Sequence, residues 1–177
     1  MKGPFHMLST LLDLLPFIGS TRRNHGLEHA TMQVLSEKYH NVPMAGISSA
    51  HGFVLVADLS TEIVTDAALE AEGRLKAGES HLAVHPHCGT NLVVSVLVAG
   101  AAAWLTLLAT SGGKKPRLPQ IALAAMVAVP AFIYSKPLGP LTQKKLTTSA
   151  NPGNMRVKQV TSQKVRDNFL HNISTGI

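Results

Sequence analysis

Two short stretches of the chain carry side chains that could hold an ion and move a proton. The first is Arg23-Asn24-His25-Gly26-Leu27-Glu28-His29-Ala30-Thr31. At about 100° per residue, a helix sets His25 and His29 roughly 40° apart on one face, with Glu28 about 60° to the other side of His25. One small ion could touch all three. H-x-x-E-H is the reversed form of the zincin motif, in which neutral imidazole nitrogens bind zinc and the carboxylate takes a proton from water. Two histidines hydrogen-bonded at a helix surface leave the same pattern, so the motif alone decides nothing.

The second stretch is Glu79-Ser80-His81-Leu82-Ala83-Val84-His85-Pro86-His87-Cys88-Gly89-Thr90-Asn91. Three histidines and the chain's single cysteine fall within eight residues, and seven of the nine histidines lie between 25 and 87. His85 and Cys88 are natural third and fourth ligands, because imidazole and thiolate both suit zinc and Pro86 and Gly89 give a tight turn. His87, His51 and Asn91 stand as accessory candidates. Cys88 has two other readings, a nucleophile served by a histidine base or an inert thiol at the start of a helix.

The elements that must position these groups follow from periodicity. Leu27, Ala30, Thr31, Val34 and Leu35 recur at three- and four-residue spacing, which predicts a motif helix running to about Tyr39 and stopped by Asn41-Val42-Pro43. Its apolar stripe packs on a core, and the His25/Glu28/His29 side turns away from it. Gly52-Phe53-Val54-Leu55-Val56-Ala57 predicts one arm of a β-hairpin. Ser60 or Thr61 caps a further helix that carries the four-residue pairs Glu70–Arg74 and Glu72–Lys76 and ends at Gly78. The ladder Glu62, Asp66, Glu70 on that helix reads as a solvated face.

From Thr90 to Ser111 there is no ionisable side chain, and the run is long enough to cross a hydrocarbon layer as a helix. A second uncharged run, Leu118 to Ser135, would span about 27 Å, with Pro119 and Pro130 inside it. Gly112-Gly113-Lys114-Lys115-Pro116-Arg117 between them is short enough to force an antiparallel hairpin. The expected fold is therefore mainly α with a small β-hairpin, an α+β metal-site domain joined to a two-helix transmembrane hairpin. Its parts are an interfacial apolar helix (1–20), the metal-site domain (21–89), the transmembrane hairpin (90–135) and a basic C-terminal tail (136–177).

The net charge of +6 is unevenly distributed. Residues 22–88 carry five basic and eight acidic side chains, whereas residues 136–177 carry seven basic and one acidic. A basic tail beside membrane spans is attracted to anionic head groups, and with no aromatic-interleaved basic groove the chain is not expected to bind nucleic acid. Lysine and arginine near the spans favour a cytoplasmic main domain. A single cysteine cannot form an internal disulfide, which agrees with a reducing compartment.

The pair His-Gly-Leu-Glu-His-Ala-Thr and His-Pro-His-Cys-Gly-Thr-Asn, followed directly by a membrane helix, resembles the YqhQ-like family of bacterial membrane proteins. That family is described as uncharacterised, predicted metal-dependent enzymes, and the chain also resembles a smaller domain-of-unknown-function relative of it. His25, Glu28, His29, His85, Cys88, Gly89 and Thr90 match the family pattern; His87 stands where the family has arginine. The resemblance implies an integral protein of the bacterial inner membrane.

The function expected from these readings is a membrane-anchored zinc-dependent hydrolase, peptidase-like, holding one Zn2+ through His25, His29, His85 and Cys88 with Glu28 as general base. Four protein ligands leave no position for water, and such closed sites are structural. The alternative is thus a non-enzymatic membrane protein with a structural metal, acting as an assembly factor or accessory subunit of a larger membrane complex. A third class is lipid or peptide binding through the basic tail.

Overall fold

Pro16 divides the apolar N-terminal segment into two helices. In the computed structural model, which describes residues 4–176, α1 runs Pro4–Leu14 and α2 runs Pro16–Lys38. The first three residues of the expected 1–20 helix lie outside the described residues. Proline suits the first turn of a helix, where its missing N–H would have no partner, and Pro16 takes that place in α2. Pro16 thus opens the motif helix well before its first histidine. A Cβ on Gly19 would collide with the Asp13 carbonyl, so the glycine lets α1 and α2 approach.

The chain forms two units, one of residues up to His85 together with Lys144 onward, the other Pro86–Gln143. In the first unit α2 is followed by β1 (Ala45–Ser49), β2 (Gly52–Ala57), α3 (Thr61–Lys76) and a tight helical turn at Ser80–Ala83. β3 (Arg156–Val165) and β4 (Asn168–Gly176) complete an antiparallel sheet of order β1-β2-β4-β3. Side chains alternate across a strand. Phe53, Leu55 and Ala57 of β2 and Ile173 of β4 are accordingly buried on one face. They join Leu27, Val34 and Leu35 of α2 and Val64, Ala67, Ala71 and Leu75 of α3 in one core.

The expected hairpin arm is β2 itself, paired with β1 through a two-residue turn at Ala50-His51. The C-terminal segment adds a second hairpin, turned at Arg166-Asp167, with Arg166 at φ 54°. β4 of that hairpin pairs with β2 in the register Leu55↔His171 and Phe53↔Ile173. α3 is capped as expected, Ile63 N–H donating to Ser60 Oγ at 3.4 Å. Glu70 of its acidic ladder pairs with Lys38 and Arg74.

In the second unit α4 (Gly89–Ser111) is followed by α5 (Leu118–Tyr134) and α6 (Leu138–Thr142). α4 is long and apolar enough to cross a membrane. It ends at left-handed Gly112 and Gly113, where glycine avoids the Cβ clash of positive φ. α5 has 17 residues and reaches spanning length only with its bent helical continuation. Among the described residues, one helix therefore meets the length and apolarity of a span by itself. Asn91 organises the base of this unit: its Nδ2 donates to the Pro86 carbonyl at 2.7 Å, its Oδ1 accepts from Gln143, and its side chain lies against Gly139.

Candidate metal centre

Helix α2 is covered on nearly every side through the motif. Asn24, Gly26, Leu27, Glu28, His29, Ala30, Thr31 and Met32 are all buried, so the polar side of the helix is not turned outward as its stripe suggested. Two backbone segments cross it there. On one side runs Thr147–Ser149: Ser149 N–H donates to the Arg22 carbonyl at 2.9 Å and Arg22 Nη2 to the Thr148 carbonyl at 3.0 Å. A Cβ on Gly26 would collide with the Ser149 carbonyl, which gives the glycine of the motif a physical cause. On the other side lies the Ser80–Ala83 turn, held by Gln33 Nε2, which donates to the carbonyls of Leu82 (2.7 Å) and Val84 (3.1 Å).

These crossings fix the histidines. His25 Nδ1 lies 3.0 Å from the Thr147 carbonyl oxygen, and His29 Nδ1 lies 2.9 Å from that of Ala83. A carbonyl only accepts, so both Nδ1 atoms carry the proton and, in the neutral ring, Nε2 keeps the lone pair. Metal-binding histidines are oriented in this way, with the distal N–H tied to a carbonyl or carboxylate. The His25 and His29 ring centroids are 4.4 Å apart, and the His85 ring lies 5.7 Å from His29. Two imidazoles of assigned tautomer are donors of the kind zinc takes.

Glu28 takes a different direction. Its carboxylate accepts from Ser48 Oγ of β1 and covers Gly46, where a Cβ would run into it. Burial pushes the carboxyl above the usual carboxylate range, against the opposing pulls of the Ser48 hydroxyl and the charge on His25. A general base benefits from that direction.

The remaining sequence candidates fall as follows. Cys88 follows His85 by three residues and caps α4, Thr90 N–H pointing to its Sγ at 3.4 Å. His87 is exposed. His51 is exposed at the β1–β2 turn, where its carbonyl accepts from Thr175 N–H at 2.9 Å. Asn91 serves the second unit as described above. Sequence reasoning missed Asn24, whose buried amide donates to the Ser49 carbonyl (2.9 Å) and accepts from Thr175 Oγ1 (2.7 Å), tying α2 to both hairpins. It also missed Gln33, Ser48 and the Arg22–Asp13 ion pair, whose Nε–Oδ1 distance is 3.2 Å without aligned hydrogen-bond geometry. In the sequence Asn24 and Gln33 are two polar residues among many on α2, with no spacing that marks them out.

The fold and site define an α+β unit with a histidine cluster on its central helix, in a chain that also carries a helix of membrane-spanning character. Residues 20–160 match the family described as Domain of unknown function (DUF6391), and the chain belongs to that family. An uncharacterised protein of Picosynechococcus sp. (strain ATCC 27264 / PCC 7002 / PR-6) is 33% identical over 152 residues, covering 78% of this chain and 70% of that protein. No solved structure matches the chain.

Proposed function

We propose that the chain is a membrane-anchored zinc-dependent hydrolase of the peptidase type. The observation that carries the proposal is the pair of Nδ1–H bonds from His25 and His29 to backbone carbonyls, which leaves Nε2 on adjoining rings as the lone-pair nitrogen. His25, His29 and His85 hold the ion. Cys88, three residues further along the chain than His85 and so within about 11 Å of it, is the fourth candidate ligand. A zinc ion in this place supplies a Lewis acid and a water whose pKa falls to about 7. Glu28, raised by burial, takes the proton of the attacking water and returns it to the leaving amine.

The paired motifs support a wider kinship with the YqhQ-like proteins. The uncovered apolar side chains of α4 and α5, such as Leu97, Trp104, Met126 and Val129, support a hairpin that crosses the bacterial inner membrane twice. The motif unit then lies in the cytoplasm. Leu11, Leu14, Phe17 and Ile18, exposed on α1 and the start of α2, are placed in the membrane interface, and the basic residues after 136 face anionic head groups.

A second reading, a closed structural site in an assembly factor or accessory subunit of a membrane complex, is favoured by the Glu28–Ser48 bond, which engages the carboxylate inside the fold. The two part on measurement. Detergent-purified protein is assayed for zinc and for cleavage of unfolded casein, with His25→Ala as the metal-free control. The hydrolase expects Glu28→Gln to keep stoichiometric zinc and lose turnover. A structural site expects no turnover in the parent, a silent Glu28→Gln, and a Cys88→Ser that costs folding. Parent protein without stoichiometric zinc overturns both.

A further inference from the structure

The outer edge of the sheet lies beside the proposed general base, and hydrogen-bond parity along β2 decides what that edge offers. Thr175 N–H donates to the His51 carbonyl, and residues 51 and 175 stand opposite each other in the β2–β4 register. Bonding directions alternate along an antiparallel strand, so odd-numbered residues of β2 bond toward β4 and even-numbered ones toward β1. Gly52, Val54 and Val56 therefore bond to Ser49, Ile47 and Ala45. That leaves the N–H and C=O of Gly46 and Ser48 directed out of the sheet.

β1 is an edge strand, and among the described residues no further strand pairs with it. It is exposed along most of its length, Ile47 reaching 73%. Proteins normally blunt such an edge with charge, proline or a bulge. Ala45-Gly46-Ile47-Ser48-Ser49 has none of these. The two residues that present outward groups are the same two that Glu28 touches, Ser48 through its hydroxyl and Gly46 through its bare Cα.

We propose that β1 is the substrate-docking edge: an extended polypeptide segment adds to it as a fifth strand, pairing its main chain with Gly46 and Ser48 and passing alongside Glu28. The inference deepens the hydrolase reading and rests on it. The chemistry selects a peptide because outward donors and acceptors two residues apart repeat at about 6.8 Å, the repeat of another extended chain. Main-chain pairing reads shape rather than sequence, so the site accepts unfolded segments of varied composition. Gly46 serves both partners, leaving room for the carboxylate on one side and for close approach of a strand on the other.

The test uses zinc-loaded, full-length Glu28→Gln protein in detergent, with unfolded casein as the probe and amide hydrogen exchange as the readout. The amides of Gly46 and Ser48 are expected to slow by about tenfold or more when casein is present, while those of Ile47 and Ser49, already bonded within the hairpin, change little. Ser48→Pro removes the outward N–H at a position where an edge tolerates proline. Compared with Ser48→Ala, which lacks only the hydroxyl, it should raise the casein KM at least about fivefold. Casein that binds or is cleaved while the two amides exchange at their original rates overturns the docking proposal and leaves the hydrolase reading standing. Protection at these amides in a protein that never cleaves casein sinks the hydrolase reading and keeps the peptide edge. Protection that rises with protein concentration in the absence of casein assigns the edge to a second copy of the chain and overturns the proposal.

Discussion

Gly26 separates the two explanations a short motif always admits, chance spacing or a built site. In an exposed helix, glycine to alanine stabilises by about 1 kcal/mol through helix propensity. Here the added methyl meets the Ser149 carbonyl, and the segment it displaces carries the Thr147 carbonyl that orients His25. Gly26→Ala is therefore expected to destabilise by about 1–3 kcal/mol, the usual cost of overpacking, and to weaken zinc binding as well. Urea denaturation with a zinc titration checks both signs; a stabilised variant with parental affinity would show that the crossing segment does not constrain the site. His171, on β4 opposite Leu55, poses a different question. It is inaccessible to solvent, and its ring nitrogens approach the backbone of Ala57 and Leu59 without a well-aligned hydrogen bond. Burial, the larger influence, pulls its pKa below the ordinary histidine value of 6.5. The folded state then binds fewer protons than the unfolded chain, so its stability is complete above about pH 6.5 and falls as pH drops from there toward the lowered folded value. His171→Leu should flatten that acid-side loss, read as the difference in urea midpoint between pH 7.5 and 5.5.

At the scale of elements, what could be read from the sequence was what repeats locally. The α2 periodicity, the β2 run between turn residues, the Ser60 cap of α3 and the glycine pair after α4 all act within a few residues, and each appears in the structure where the pattern put it. What escaped was held by partners far along the chain. β3 and β4 are rich in Lys, Gln, Thr, Ser and Asn, and the pairing of β4 with β2 joins residues more than a hundred apart. No local period could announce it. The same holds for the covering of α2: the segments that bury its polar side are the end of the Ser80–Ala83 turn and the stretch 147–149, both too short to carry a period. For that reason the two motif histidines were legible as a pair, and the groups that orient them were not. Gln33 tests this layer. Gln33→Leu removes both donors to the Ser80–Ala83 turn and so loosens the carbonyl that holds His29 as well as the approach of His85. Zinc affinity is expected to fall by about 10–100-fold, the range for such supporting groups, while far-ultraviolet circular dichroism stays parental. Isothermal titration with zinc decides it; unchanged affinity would place the metal, if any, away from this turn.

For the whole molecule, the decisive property is whether α4 meets lipid. A 23-residue helix is about 35 Å long, against about 30 Å of hydrocarbon. Length alone does not distinguish a span from the core helix of a soluble protein, and α4 is not a buried core helix: nearly all of its most apolar stretch is uncovered. Leu92, Leu97, Trp104 and Leu105 are each more than half exposed, an apolar area that water would penalise and a bilayer would not. Ser95 of α4 and Ala124 of α5, both small, are the buried exceptions. Leu97→Arg places a charge near the middle of the helix on an uncovered side, at a cost of about 2.5–3.5 kcal/mol for insertion. On a solvated helix the same change is close to neutral, within about 0.5 kcal/mol. Expressed in bacteria, the parent should stay with the membrane pellet through alkaline carbonate washing, and the variant should be depleted from it. If both proteins wash out equally and remain folded and monomeric without detergent, α4 is not a span and the bilayer has no part in how this chain works.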